Sequence, residues 1–233
     1  MNLVIVPCVV GPQMTRACLR SLLAQDVETY VLAINNGAND GTAQVMRAMA
    51  AGEKRLSVIE YAARRSLNNV WNEWITWAFE KMHLDYVLVV NNDTVLLPET
   101  YRLLRDDGGL FVTAVGTAPE QALMIGDLSQ RRPHPDFSCF LIRRACWERV
   151  GKFDDGIRAF FGDNDMHIRM HRAGVQAYCL QVPFAHVASG TMKNASNELR
   201  DAIQREADAD REVFKAKYGF LPSDPEYAEE FKR

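Results

Sequence analysis

The 233-residue chain has no CxxC pair, no GxGxxG after an apolar run and no excess of basic charge. It also lacks any apolar stretch near the ~20 residues that a membrane span needs. Each absence removes a class of protein. The five cysteines, at 8, 18, 139, 146 and 179, are odd in number and spaced unlike a disulfide framework or a zinc site, so reduced thiols in a cytoplasmic protein are expected. A dinucleotide oxidoreductase is disfavoured, because no Gly-rich fingerprint follows any strand. The net charge of −3 gives no footprint for a nucleic-acid partner and leaves only a local patch open. LVIVPCVV, near the N-terminus, lacks a basic flank and is broken by Pro7, so it reads as a first strand and not a leader. No internal repeat or low-complexity segment is present. With 48% hydrophobic and 24% charged residues, the composition is that of a globular protein with a sizeable core.

What is present repeats one grammar. Leu3–Val10, Tyr30–Ile34 and Tyr86–Val90 are short, continuously apolar runs, as expected of strands covered on both faces in a parallel sheet. Each runs into a loop: Gly11-Pro12, then NNGANDGT, then NND. Helical spacing follows at Thr15–Ala24, Thr42–Met49 and Asn69–Met82, the last with an apolar stripe of Val70, Trp71, Trp74, Ile75, Ala78 and Phe79. The alternation predicts a doubly wound α/β sheet. From about residue 108 the pattern loosens into loops around short apolar pieces. Cys139–Ile142 and Ala177–Val182 read as strands, Ala145–Val150 as a short helix, and GKFDDGIRAFFGDNDMHIRMHRAG as a loop entering a helix that stops at Gly174. A charged helix runs from about Ser196 to Tyr218. One domain with an irregular C-terminal half is the economical organisation.

In such sheets ligands gather at the carboxyl ends of the strands, where NNGANDGT and NND fall. Asp93 there is either a turn residue or a ligand for Mg²⁺ or Mn²⁺ on phosphate oxygens, with Asn91 and Asn92 as neutral hydrogen-bonders. Asp163 and Asp165 either cap the helix that follows or supply a general base. His186 is either structural or the imidazole that completes a metal site with Asp93. His167 and His171 have the i, i+4 spacing of zinc ligands, but HIRMH lacks the glutamate of HExxH, and solvated helix histidines are expected. Arg64-Arg65 and Arg131-Arg132 are solvated or hold a diphosphate. The Trp71, Trp74 and Trp77 stripe is expected in the core.

Taken in order, IVPCVV, INNGANDGT, VVNNDTVLLPE, LIRRACWERVGKFDD, FFGDNDMHIRMHRAG and PFAHVASG resemble the motifs of the family-2 glycosyltransferases, inverting nucleotide-sugar enzymes of the GT-A fold. The resemblance runs from the N-terminus to about residue 219. It implies a Rossmann-like, mostly parallel twisted sheet flanked by helices. Residues 1–105 would form the nucleotide-sugar half, 106–193 the acceptor half, 194–219 a C-terminal helix and 220–233 a tail. It implies donor contacts from Pro7 and Val9 on the first strand, from Asn35 and Asp40, from Arg65, from Asn72 on the long helix, and from Asn91 and Asn92. It implies a divalent ion, Mn²⁺ or Mg²⁺, on Asp93 and His186, and Asp163 as the base that deprotonates an acceptor hydroxyl. Three positions depart from the pattern. Gly162 replaces a glutamate, Asn35 replaces an aspartate, and RRSLNNVWNEW lacks the N-x-G before the long helix.

Two other functions fit part of the pattern. A nucleotide-sugar pyrophosphorylase would also be α/β and metal-dependent, though VGPQMTR is a poor version of its Gly-rich loop. A non-catalytic nucleotide- or sugar-binding module would tolerate the changes at 35 and 162. The partners implied are a nucleoside-diphosphate sugar and a hydroxyl-bearing acceptor of open class, with peripheral membrane association through the charged tail left open.

Overall fold

The computed structural model describes residues 1–187 and 190–232. Ala188 and Ser189 of the PFAHVASG motif, and Arg233 of the tail, lie outside the described residues. The first half runs β1 (Asn2–Cys8), α1 (Pro12–Leu23), β2 (Thr29–Asn36), α2 (Thr42–Ala50), β3 (Leu56–Tyr61), α3 (Leu67–Glu80) and β4 (Tyr86–Val90). It continues through β5 (Thr94–Leu96), α4 (Thr100–Asp107), β6 (Phe111–Thr117), β7 (Arg131–Arg132), β8 (Cys139–Arg143) and α5 (Arg144–Val150). The last stretch holds α6 (Gly162–Arg172), β9 (Ala177–His186), α7 (Gly190–Asn194), α8 (Asn197–Tyr218) and α9 (Pro225–Glu230).

One sheet runs through the molecule in the order β3-β2-β1-β4-β8-β6-β9-β5, with β7 beside β9. The strands β3, β2, β1 and β4 are parallel, and so are β6 and β9. β8 lies antiparallel between β4 and β6. The fold is the expected mixed α/β, mostly parallel sheet flanked by helices. Both faces of β1 are covered, which explains its unbroken apolar run. Leu3 and Ile5 pack with Val70, Trp71, Ile75 and Phe79 of α3, whereas Val4 and Val6 pack with Cys18, Leu19 and Leu22 of α1. Trp71 is buried in the first cluster, with Trp74 and Trp77 against its edge. All five cysteines are buried free thiols.

The segment that looks loosest in the sequence contains β6, an interior strand between β8 and β9. Its FVTAVGT follows two glycines and ends in small polar residues, so its burial comes from its two neighbours and not from its own composition. β3 is also unannounced, because LSVIEY alternates and only Leu56 is fully covered. The C-terminal region forms a third, smaller cluster of Ile157, Ile168 and Phe214, with Phe161, Tyr218, Tyr227 and Phe231 around it. No described helix is long and apolar enough to cross a membrane.

Candidate active site

The β1, β2 and β4 carboxyl ends open on a cavity of about 320 Å³. Pro7 and Val9 line it from β1, Asn36 from β2, and Asn91, Asn92 and Asp93 from the β4 turn. Arg64, Arg158 and Phe160 close the opposite wall, and Thr191 and Met192 of α7 lie at its edge. A second cavity, of about 570 Å³, adjoins it and shares Leu67, Asn91, Ala159 and Phe160. Asp136, Asp163 and Asn164 line this second space. Both volumes are in the range of small-molecule sites.

Polar residues after β4 are held by the fold. The Asn92 amide donates to Val10 O at 2.8 Å and Thr15 Oγ1 at 2.7 Å, tying the turn to the start of α1. Asp93 faces His186, with Nε2 and Oδ2 at 3.5 Å. The pairing is fixed by register, since Thr94 lies opposite His186 in the β5–β9 ladder. The hydrogen bond to Asp93 raises the His186 pKa, against the opposing effect of burial. One carboxylate and one imidazole converge there, a donor set that fits a divalent ion taking its remaining ligands from a diphosphate. Among the described residues no group of three or more His, Cys, Asp or Glu side chains converges as a metal cluster.

Asp163 lies in the first turn of α6 and accepts from the Asn164 backbone N–H at 2.9 Å. Asp163 is solvent-exposed where it lines the second cavity. The protein crowded around its carboxylate raises its pKa above the ordinary carboxylate value by desolvation, and Asp136 nearby adds to the rise. Asp165, two residues on, is fully buried and has a different role. It meets Arg169 Nε at 2.8 Å, Lys217 Nζ at 2.6 Å and the Tyr218 hydroxyl at 2.7 Å, locking α6 to α8.

Other residues expected at the donor lie beside the cavity as scaffold. Asn35 is buried and accepts from Ala38 N at 2.8 Å, shaping the loop after β2. Asp40 accepts from Gly11 N at 2.7 Å and from Thr42, so it ties the loops after β1 and β2 together. Burial acts to raise its pKa, but those hydrogen bonds outweigh it and the pKa is lowered. Arg65 turns away to pair with Glu73 and cover the Tyr61 ring at 4.7 Å. Asn72 holds the Phe153 backbone through both amide atoms, at 2.8 and 2.9 Å.

Their neighbours face the cavity instead. Asn36 clamps the Arg65 backbone with two hydrogen bonds, at 2.9 and 2.8 Å, and so presents Arg64 inward. Glu206 of α8 then bridges Arg64 and Arg158. The twin Arg64-Arg65 was the visible signal, but no local pattern says which arginine turns in. Asp136 and Phe160 carry no sequence signal of their own. His167 corrects the expectation of solvated helix histidines: it is buried, with its ring stacked 4.2 Å from Phe231.

Residues 3–106 match the family described as Glycosyl transferase family 2. The matched stretch runs from β1 into α4 and takes in the β1, β2 and β4 loops that line the first cavity. Solved structures share the fold across nearly the whole chain. A mannosyltransferase from Pyrobaculum calidifontis, in complex with GDP-Man and Mn²⁺, superimposes with a TM-score of 0.61 at 15% identity, covering 99% of this chain and 83% of its own. S. aureus TarS 1–349 in complex with UDP gives 0.56 at 12% identity, covering 96% and 74%. GalNAc-T7 with UDP, GalNAc and Mn²⁺ gives 0.64 at 12% identity, covering 80% and 43%. At these identities the likeness establishes the GT-A fold. No curated protein matches the chain significantly. Beyond the matched stretch, α6, with Asp163, and β9, with His186, lie in the part that only the fold comparison covers.

Proposed function

We propose that the protein transfers a sugar from a nucleoside-diphosphate sugar to an acceptor hydroxyl, with inversion at the anomeric carbon. The single observation that carries this reading is the pair of adjoining cavities. The first cavity reaches Asp93, which meets His186 on its far side, and the space beside it is lined by Asp163. The donor would lie in the first, with its diphosphate toward Asp93 and the Arg64 and Arg158 wall. The acceptor would enter the second.

A carboxylate whose pKa is raised by its surroundings suits proton abstraction near neutral pH. Asp163 would take the hydroxyl proton onto a carboxylate oxygen as the acceptor oxygen bonds to the anomeric carbon. The bond from that carbon to the diphosphate oxygen breaks, and its electron pair leaves with the nucleoside diphosphate. One displacement inverts the centre and needs no enzyme nucleophile. Asp93 and His186 would hold a divalent cation, whose charge offsets that building on the leaving group. Asn91 lines both cavities and is placed to orient the sugar between them.

The test is a melting-temperature panel of UDP, TDP, GDP, CDP and ADP, each with Mn²⁺ and with EDTA. A ligand at 100 times its Kd stabilises by about 2.7 kcal/mol, which a melt resolves. One nucleotide shifting Tm only with metal is the expected result. No shift from any of them overturns the donor reading and leaves a binding module of another kind.

A further inference from the structure

Phe160 is 44% exposed, although it belongs to one of the most firmly held loops of the molecule. The backbone N–H groups of Arg158, Ala159 and Phe160 all donate to the Asp210 carboxylate, at 2.8, 2.7 and 2.8 Å. Asp210 is itself buried, at 1% exposure. Arg158 O accepts from Leu67 N at 3.0 Å. The next residue, Phe161, is held in the left-handed region at φ 64, a conformation that costs a non-glycine residue about 1–3 kcal/mol. Its ring packs on Phe214 at 5.5 Å, which offsets that strain. The result is a division of labour between adjacent phenylalanines. Phe161 anchors the loop, and Phe160, which packs on no other ring among the described residues, is presented to both cavities.

The two cavities differ in charge. Arg64 and Arg158, bridged by Glu206, line the first together with Asp93, whereas Asp136 and Asp163 line the second, whose described lining has no basic side chain. The rest of the second cavity is uncharged: Trp71, Phe137 and Phe161 and the amides Asn68, Asn91 and Asn164 stand among small and aliphatic residues. A phosphate or carboxylate on the acceptor would face two carboxylates with no cation to balance it. A ring with apolar C–H faces and hydroxyl edges has a partner at every wall.

Accepting the transferase reading, we infer that the acceptor is an uncharged sugar ring that stacks on Phe160 beside Asp163.

The experiment measures transfer by the whole protein to matched acceptors: a neutral methyl glycoside, the same sugar as its phosphate, and glycerol phosphate. The Phe160→Ala and Phe160→Trp variants are compared on the best of them. Phe160 is exposed, so truncation removes little core packing, and a melt of each variant checks the fold. The neutral glycoside is expected to be preferred. Phe160→Ala should raise its KM about tenfold, as losing a stacked ring implies, and Phe160→Trp should restore it. Preference for a phosphate-bearing acceptor overturns the inference, as does an unchanged KM in Phe160→Ala. A wild-type protein whose Tm no nucleoside diphosphate moves fails the donor reading first, and this inference falls with it.

Discussion

The Asn68 side chain fills the place where a side chain at position 162 would begin. A Cβ on Gly162 would lie 2.6 Å from Asn68 Oδ1 and 2.8 Å from Nδ2. Asn68 has no room to retreat, because its Nδ2 donates to Asp154 O and Ile157 O, both at 3.0 Å, and holds the loop before α6. The missing glutamate is therefore exchanged for an amide arriving from α3. Gly162→Glu is expected to lower stability by about 1–3 kcal/mol through overpacking. Combined with Asn68→Ala, the two changes should be less than additive, because the second removes the clash. Chemical denaturation of the four proteins measures this cycle, and additive losses would show that the contact is not limiting.

Asp93 and His186 should act as one metal-binding unit. Calorimetry of a nucleoside diphosphate with and without Mn²⁺ is expected to show metal-dependent affinity in the unchanged protein. Asp93→Ala should lose all of the metal-dependent part, and His186→Ala a share of it. Metal dependence that survives in Asp93→Ala would place the ion elsewhere.

Asp163→Asn separates chemistry from stability. Loss of a general base lowers kcat about 10²–10⁴-fold. Stability should hold or rise, because the native surroundings disfavour the ionised carboxyl that the substitution removes. The sign in pH follows from the same shift. The base works only when ionised, and its pKa is raised, so kcat should fall with acidification at a pH above the ordinary carboxylate value. A pH–rate profile of wild type against Asp163→Asn checks both points, and equal kcat in the two would remove Asp163 from the reaction.

His167 gives the fold an acid limit. Burial, and then the neighbouring His134 and His171, lower its pKa to about 4. The unfolded chain, at its ordinary value of about 6.5, binds this proton more readily than the native state. Stability is thus full above about pH 6.5 and falls as pH drops toward 4, by on the order of 3 kcal/mol from this group. His167→Gln should flatten that part of the curve of Tm against pH. An unchanged slope would assign the acid sensitivity to other groups.

The sequence by itself determined the strand ends that carry polar clusters. Continuous apolar runs such as Tyr86–Val90 are informative because both faces of the sheet are covered, so burial is written into every residue. The order of motifs then nominated Asp93, Asp163 and His186 as site residues without their distances. Tertiary structure decided what neighbours do. Arg64 rather than Arg65, and Asn36 rather than Asn35, face the cavity, because a two-hydrogen-bond clamp between Asn36 and the Arg65 backbone sets the loop. Adjacent residues of one type have the same local propensity, so only that clamp distinguishes them. The Asp210 carboxylate under the Phe160 loop, and Asp136 facing the Asp163 cavity, depend on how the sheet order brings distant segments together. No periodicity records a meeting of that kind, since its energy is realised only when α8 docks against the loop before α6.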